Sequence, residues 1–397
     1  MSLSKPAGVT VCEKELETLK LSSQGSNTFS ALPEALIREI CLYLPGNKLH
    51  HSIRNVSTEL RSVVNALNVK PIGSFIVESK GFGTHVLYAY MKNNKISICG
   101  SPLELNRPKG WHPTVHPAYF KAAFKGKFVM NKAEGTFEYQ SDKKDWTCIE
   151  EPPDQFHNYS ICWISPSVLV NIGMMMAYMP SENWTGVACK VQLLNVDTKK
   201  PKWHTPPVYR NNPLGPAICR PYLFNTANGT MIMCGGYNDD KDTFDGTYRG
   251  VLGEDGDIIQ WTELDKMPNK HCFAASFKLK NKIYVIGGMN GDQGMRVAVE
   301  WLQNTLVFDL TRETWSKGPK LPFILEFPKA FADLKEEYAF IYGDKPRGES
   351  TKYEGRHGSK DHVMLSFNEE SGFQKVEDLH QFPLDSSSDW DVVHTIE

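Results

Sequence analysis

The sequence predicts a mainly β chain built from a repeated strand unit, preceded by a small all-α module at the N-terminus. Three observations carry this. Aromatic residues recur after a strand and a polar turn at Trp146, Trp203, Trp261, Trp315 and Phe373, in steps of 54 to 58 residues. Two apolar runs end in Gly-Gly, "MIMCGGYNDD" at 231–240 and "YVIGGMNGD" at 284–292. Near residue 70 the pattern changes from helical spacing to short β-branched and aromatic runs separated by turns.

Composition bounds the rest. The chain has 397 residues, 41% hydrophobic and 23% charged, which predicts two or three domains and a sizeable core. A formal net charge of −2 leaves no basic excess for nucleic acid. The longest apolar run, Val168 to Met179, is interrupted by Asn171 and is shorter than the roughly 20 residues that span a bilayer. The first 25 residues hold no apolar segment of signal-peptide type. Nine cysteines, an odd count without a CxxC, read as reduced and mostly buried thiols. The expectation is an intracellular protein, cytoplasmic and/or nuclear, that engages neither membrane nor nucleic acid.

Residues 1–27 carry no strong pattern and are expected to be a disordered tail. Residues 28–68 read as a helical module. Pro33 suits a first helical turn, and Glu34 complements the helix dipole there. Leu36, Ile37, Ile40 and Leu44 follow at helical spacing until Pro45-Gly46 ends the run. Val56, Leu60, Val63, Val64 and Leu67 form a second stripe. From residue 71 onward, "SFIVES", "HVLYAY", "KIYVIGG" and "NTLVFDL" read as strands. Gly126-Lys127 and Asn228-Gly229 read as tight hairpin turns.

A period near 50 residues with four strands per unit is the pattern of a propeller blade. The segments "KIYVIGG…NTLVFDLTRETWSKGPKLP" (282–322) and "MIMCGG…GDIIQWTELDKMP" (231–268) resemble the kelch family. In that family an apolar strand ends in Gly-Gly and a tryptophan follows in the fourth strand. Other units are worn: Ile172-Gly173 precedes Trp203, Tyr342-Gly343 precedes Phe373, and no glycine pair precedes Trp146. The resemblance implies a kelch-type β-propeller over residues 71–397. Five blades are marked by their aromatics. Residues 71–107 hold three further strands, and the tail "DWDVVHTIE" has strand character. Six blades are therefore expected, the ring closed by a C-terminal strand so that no sheet edge stays open.

The series Leu32, Pro33, Leu36, Ile37, Ile40, Leu44, Pro45, Leu49, Ile53, Val56 and Ser57 resembles an F-box. Leu60 stands where that family often has an aromatic. A module of about 40 residues barely buries its own core, so leftover apolar surface calls for a partner. The resemblance implies that the partner is a Skp-type adaptor and, through it, a cullin. Leu32, Pro33, Leu36, Ile37, Ile40, Leu44 and Pro45 are the implied adaptor-binding residues. The alternative is a helical cap packed on the propeller.

Signs of catalysis are thin. His112 and His116 are flanked by Pro113 and Pro117, which oppose a helix that would present both to a metal. No P-loop, GxSxG or HExxH occurs. Met174, Met175 and Met176 would alternate across a strand rather than converge on a metal. The expectation is a non-enzyme without cofactor or metal. Four long connections are candidates for binding: 174–188, 237–247, 289–303 and 344–361. Trp184, Asp239, Asp240, Arg296, Arg347 and Arg356 are the residues expected to meet a target protein. The combined reading is the substrate-recognition subunit of an F-box ubiquitin ligase. The competing readings are a non-ligase interaction scaffold and a kelch-type copper oxidase.

Overall fold

The computed structural model describes residues 69–79, 83–92, 95–102, 120–124, 127–132, 135–140, 145–150, 156–179, 184–205, 220–237, 243–254, 256, 259–290, 300–333, 335–346, 360–376, 378–380 and 390–396. The expected tail 1–27, the helical module 28–68 with its adaptor stripe, and His112 and His116 lie outside the described residues.

The described chain is strand and turn. It begins with β1 Val69–Ser79, β2 Gly83–Lys92, β3 Lys95–Pro102, β4 Phe120–Phe124, β5 Lys127–Lys132, β6 Gly135–Gln140 and β7 Asp145–Glu150. Next come β8 Phe156–Trp163, β9 Val168–Met179, β10 Trp184–Asn195, β11 Tyr222–Ala227, β12 Thr230–Cys234, β13 Thr247–Leu252 and β14 Ile259–Glu263. Then follow β15 Ala275–Leu279, β16 Lys282–Ile286, β17 Met289–Asn290, β18 Glu300–Trp301, β19 Thr305–Asp309 and β20 Thr314–Lys317. The last are β21 Glu326–Ala332, β22 Ala339–Pro346, β23 Lys360–Asn368, β24 Gly372–Lys375, β25 Asp378–His380 and β26 Trp390–Ile396.

Two compact units divide the chain. The first takes residues 1–73, 88–100 and 377–382. Within it, β25 runs parallel to β3, pairing Asp378 with Ser97 and His380 with Cys99. Ile72, Ala89, Ile96 and Ile98 are buried there.

The second unit holds the remainder and is a propeller arrangement of antiparallel sheets. Four of its sheets have four strands, ordered β4-β5-β6-β7, β11-β12-β13-β14, β15-β16-β19-β20 and β21-β22-β23-β24. Another, β8-β9-β10, has three. The first strands of successive sheets meet: β4 with β8, β8 with β11, β11 with β15, and β15 with β21. The C-terminal β26 lies between β21 and β4 and pairs antiparallel with β1 from Ser74 to Ser79.

Alternation along the second strand puts apolar side chains on both faces of a sheet. On β16, Tyr284 and Ile286 join the cluster shared with β22 and β23, while Ile283 and Val285 join the cluster shared with β11 and β12. On β12, Met231 and Met233 instead pack with Val168, Val170 and Ile172 of β9. Each sheet therefore completes the core of its neighbours.

Gly-Gly ends β12 and β16 for two reasons. Gly235, Gly236, Gly287 and Gly288 all have positive φ, between 62° and 97°. A Cβ on Gly288 would also stand 2.5 Å from the Cys272 carbonyl oxygen.

The repeated aromatic has a partner one sheet back. Trp315 Nε1 donates to Thr247 Oγ1 at 3.0 Å, and Trp203 Nε1 donates to Thr136 Oγ1 at 2.9 Å. Thr136 and Thr247 hold the same place, opposite Asn131 and Cys234 at the end of the second strand. The residue at that place in the three-stranded sheet is Val191, opposite Ile172. Val191 shares a cluster with Trp261, whose buried Nε1 has no partner among the described residues. In β19 the place belongs to Thr305, but the next repeated aromatic is Phe373, whose ring has no N–H, and the Thr305 hydroxyl has no partner among the described residues. The two mismatches are reciprocal.

Two expectations need correction. Trp203 does not lie in a fourth strand. Beside β10 only a bridge forms, with Leu193 and His204 exchanging N–H···O bonds of 2.9 and 3.0 Å. Pro201 has no N–H to extend that ladder. Lys127, expected in a turn, opens β5 and pairs with Phe124.

The Trp–Thr pattern makes one substitution act with opposite signs. Thr136→Val leaves the Trp203 N–H unpaired and is expected to destabilise by about 1–2 kcal/mol. Thr305→Val removes an orphaned hydroxyl and should stabilise by about 1 kcal/mol, as should Val191→Thr by giving Trp261 an acceptor. Trp315→Ala should cost about 3–5 kcal/mol through the cavity it opens. Chemical denaturation of the four variants tests the pattern. Equal signs for the two Thr→Val changes would refute it.

Candidate binding face

The end of the second unit at which first strands begin and second strands finish gathers its most distinctive residues. After β16 the chain runs from Gly287-Gly288 into β17, which pairs with β18 through Met289–Trp301 and Asn290–Glu300. Met289 also bridges back to Cys272, with N–H···O bonds of 3.0 and 2.8 Å in the two directions. Cys272, Met289 and Trp301 form a small buried cluster, against which Tyr237, Phe273, Ile324 and Phe327 pack, each partly exposed.

The rings form one continuous group. Tyr237 stacks on Phe273 with centroids 5.5 Å apart. Phe273 meets Phe327 edge-on at 6.1 Å, and Phe327 meets Trp301 edge-on at 5.0 Å. The exposed Arg220 lays its guanidinium 5.7 Å from the Phe273 centroid. Such cation–π contacts hold a guanidinium over a ring face while leaving its donors in water. On β22, exposed Lys345 lies 5.0 Å from the Phe323 centroid.

Arg220, Phe273 and Phe327 share a backbone anomaly. Their φ values are 47°, 53° and 46°. Each stands two residues before the one that pairs with the residue preceding the second-strand glycine: Tyr222 with Cys234, Ala275 with Ile286, Lys329 with Tyr342. Left-handed backbone costs a residue with a Cβ about 1–2 kcal/mol and is an outlier for bulky side chains.

Beneath the rings lies His271, with no exposed surface. Its Nδ1 stands 2.8 Å from the Gly287 carbonyl oxygen, so Nδ1 carries the proton and donates. Nε2 has no partner among the described residues. Burial holds the imidazole below its ordinary pKa of 6.5, so the ring is neutral. Four residues before Lys329 in the following sheet, the corresponding place is taken by buried Leu325. Burial also pushes the Cys272 thiol up to about 12, which removes it as a nucleophile. Among the described residues, no three His, Cys, Asp or Glu gather as a metal would require.

Of the residues expected from sequence to meet a target, only Trp184 is among the described residues. Asp239, Asp240, Arg296, Arg347 and Arg356 lie outside the described residues. Trp184 opens β10 opposite Met179. The long connections are shorter than expected. Residues 174–179 and 184–188 extend the β9–β10 hairpin, β22 reaches Pro346, β23 starts at Lys360, and β17–β18 takes the base of the third connection. The extension follows because Met174–Met179 and Trp184–Cys189 keep pairing as an antiparallel ladder. Arg220, Phe273 and Phe327 were missed because left-handed backbone is signalled in sequence by Gly or Asn, not by Arg or Phe.

Comparison with known proteins finds a motif in this sheet. Residues 271–322, which run from His271 through β15 to β20, match the Kelch motif. A curated protein from Arabidopsis thaliana, described as an F-box/kelch-repeat protein, is 29% identical over 115 residues. That match covers 28% of this chain, and the chain spans about a fifth (22%) of that relative's length. The solved structure of YjhT aligns with 66% of this chain and 83% of its own, at 14% identity and a TM-score of 0.48. The described sheets and the motif together give a mainly β propeller arrangement with a kelch motif.

His271 makes stability pH-dependent. Its folded-state pKa is below 6.5, so the unfolded chain binds the extra proton and stability falls as pH drops through about 6.5. His271→Leu, which copies Leu325, is expected to flatten that fall. Melting curves at pH 7.5 and 5.5 test it, and an undiminished drop in the variant would assign the effect to other groups.

Proposed function

We propose that the chain is the substrate-recognition subunit of a Skp–cullin–F-box ubiquitin ligase, with the helical module docking the adaptor and the propeller holding a target protein. The observation that carries the reading is order along the chain. An F-box-like series at Leu32–Ser57 stands directly before a β region with a kelch motif at 271–322, the combination named in the Arabidopsis relative. The role is non-catalytic. It raises the effective concentration of target lysines near the ubiquitin-loading machinery. The same reading gives the propeller six blades. What supports that number is the place of β26, which lies between β21 and β4 and pairs with β1. Partners are then a Skp-type adaptor, a cullin and a target protein, in the cytoplasm or nucleus, with no cofactor.

A second reading, an interaction scaffold without ligase partners, draws on the kelch motif alone. Leu36→Asp separates the two. A charge in a desolvated helix interface costs several kcal/mol. Pull-down of the Skp-type adaptor and cullin by the full chain is expected to be lost in the variant, while the main thermal transition stays in place. Absence of adaptor and cullin from the wild-type pull-down would favour the scaffold.

A further inference from the structure

We infer that the row Arg220–Phe273–Phe327 recognises an acidic peptide segment that carries an aromatic or large apolar side chain. The inference rests on the reading of the propeller as a protein-binding module and names the chemistry that it takes.

Strain is the first observation. Among the described residues, six with a side chain beyond glycine have positive φ. Three of these, Lys280, Glu313 and Glu336, lie in the turns between β15 and β16, β19 and β20, and β21 and β22. Turns accommodate that geometry. Arg220 and Phe273 lie in no such turn, whereas Phe327 stands where the β21–β22 register shifts between Glu326 and Lys329. All three recur at one place, at the start of the first strand in three successive sheets. Glycine would relieve all three, yet the places hold an arginine and two phenylalanines. Strained backbone that persists with large side chains marks a site whose side chains are needed.

The second observation is what the strain delivers. The three side chains are joined by contact, Arg220 over Phe273 at 5.7 Å and Phe273 against Phe327 at 6.1 Å, and Tyr237 also stacks on Phe273. Phe273, Phe327 and Tyr237 keep part of their surface exposed, so a further apolar group can be seated there. Arginine with aromatic neighbours is the composition of binding hot spots.

Charge selects the occupant. Arg220 is exposed, and no carboxylate among the described residues meets it. An exposed guanidinium over a ring can form a two-pronged bond to a carboxylate. Exposed Lys345 repeats the arrangement over Phe323. A peptide whose carboxylate meets Arg220 and whose aromatic side chain lies on Phe273 and Phe327 satisfies both features. A nucleic acid is disfavoured by the formal net charge of −2.

The test uses the full chain and a labelled peptide array in which acidic, basic and neutral segments each occur with and without a central phenylalanine, read by fluorescence anisotropy. A short single-stranded RNA is run beside it. Acidic peptides with the phenylalanine are expected to bind best, with affinity falling as salt rises. Arg220→Gly, which relieves the strained backbone, should lower that affinity at least tenfold while the melting temperature holds or rises. Arg220→Glu should turn the preference toward basic segments. Phe273→Leu should remove the preference for the phenylalanine-bearing set. The inference is overturned if no acidic peptide binds, if binding ignores Arg220 and Phe273, if Arg220→Gly lowers the melt, or if RNA alone binds. Adaptor capture on the same preparations keeps the two readings apart. Capture without peptide binding sinks the recognition row and leaves the ligase reading standing; peptide binding without capture does the reverse.

Discussion

Where side chains are described, a sheet of the second unit buries its apolar face only against a neighbouring sheet. β16 shows it most plainly, with Tyr284 and Ile286 packed on the sheet that follows and Ile283 and Val285 on the one that precedes. An isolated four-stranded sheet of this kind would leave both faces in water at about 25 cal/mol per Å². Repetition is therefore a condition of stability and not an ornament of the fold. Polar ties cross the same seams. Lys282 and Tyr284 both donate to Glu369, at 2.7 and 2.6 Å, which holds that carboxyl below its ordinary range. Arg249 pairs with Glu313 and Lys278 with Glu336 across other seams. These pairs are part-exposed and weak beside the apolar contacts.

The Trp–Thr bond shows how a repeat is kept and how it decays. Where tryptophan faces threonine, the indole N–H is satisfied inside an otherwise apolar seam. Trp261 against Val191 and Phe373 after Thr305 each retain one half of the pair. A half pair leaves a buried donor or acceptor unmet, which is costlier than having neither. Packing around the ring survives in both cases, so the sheet persists with a local loss of stability.

The binding face stands in contrast to the seams. The seams are built from packed apolar side chains and antiparallel ladders. At the face, Arg220, Phe273 and Phe327 adopt backbone angles that their side chains oppose, and buried His271 keeps an unpaired Nε2. A fold that tolerates such defects in one place draws on stability built elsewhere. That is why the same region joins the kelch motif, the rings and the exposed arginine.

Much of the architecture was legible in the sequence alone. Local chemistry wrote it: Gly-Gly after an apolar run, Asn228-Gly229 between β11 and β12, and an aromatic at a regular step. These signals depend on backbone angles and alternation, which neighbouring residues decide. Other features exist only across sheets. That Trp315 meets Thr247, that Val191 leaves Trp261 unmet, and that Arg220 lies over Phe273 are facts about residues 50 or more positions apart. The reach of β9 and β10 through Met179 and Trp184 was misjudged because a long ladder is stabilised by its partner strand and leaves no local mark. The left-handed arginine and phenylalanines were invisible because only surrounding tertiary contacts hold a backbone where its own side chain resists.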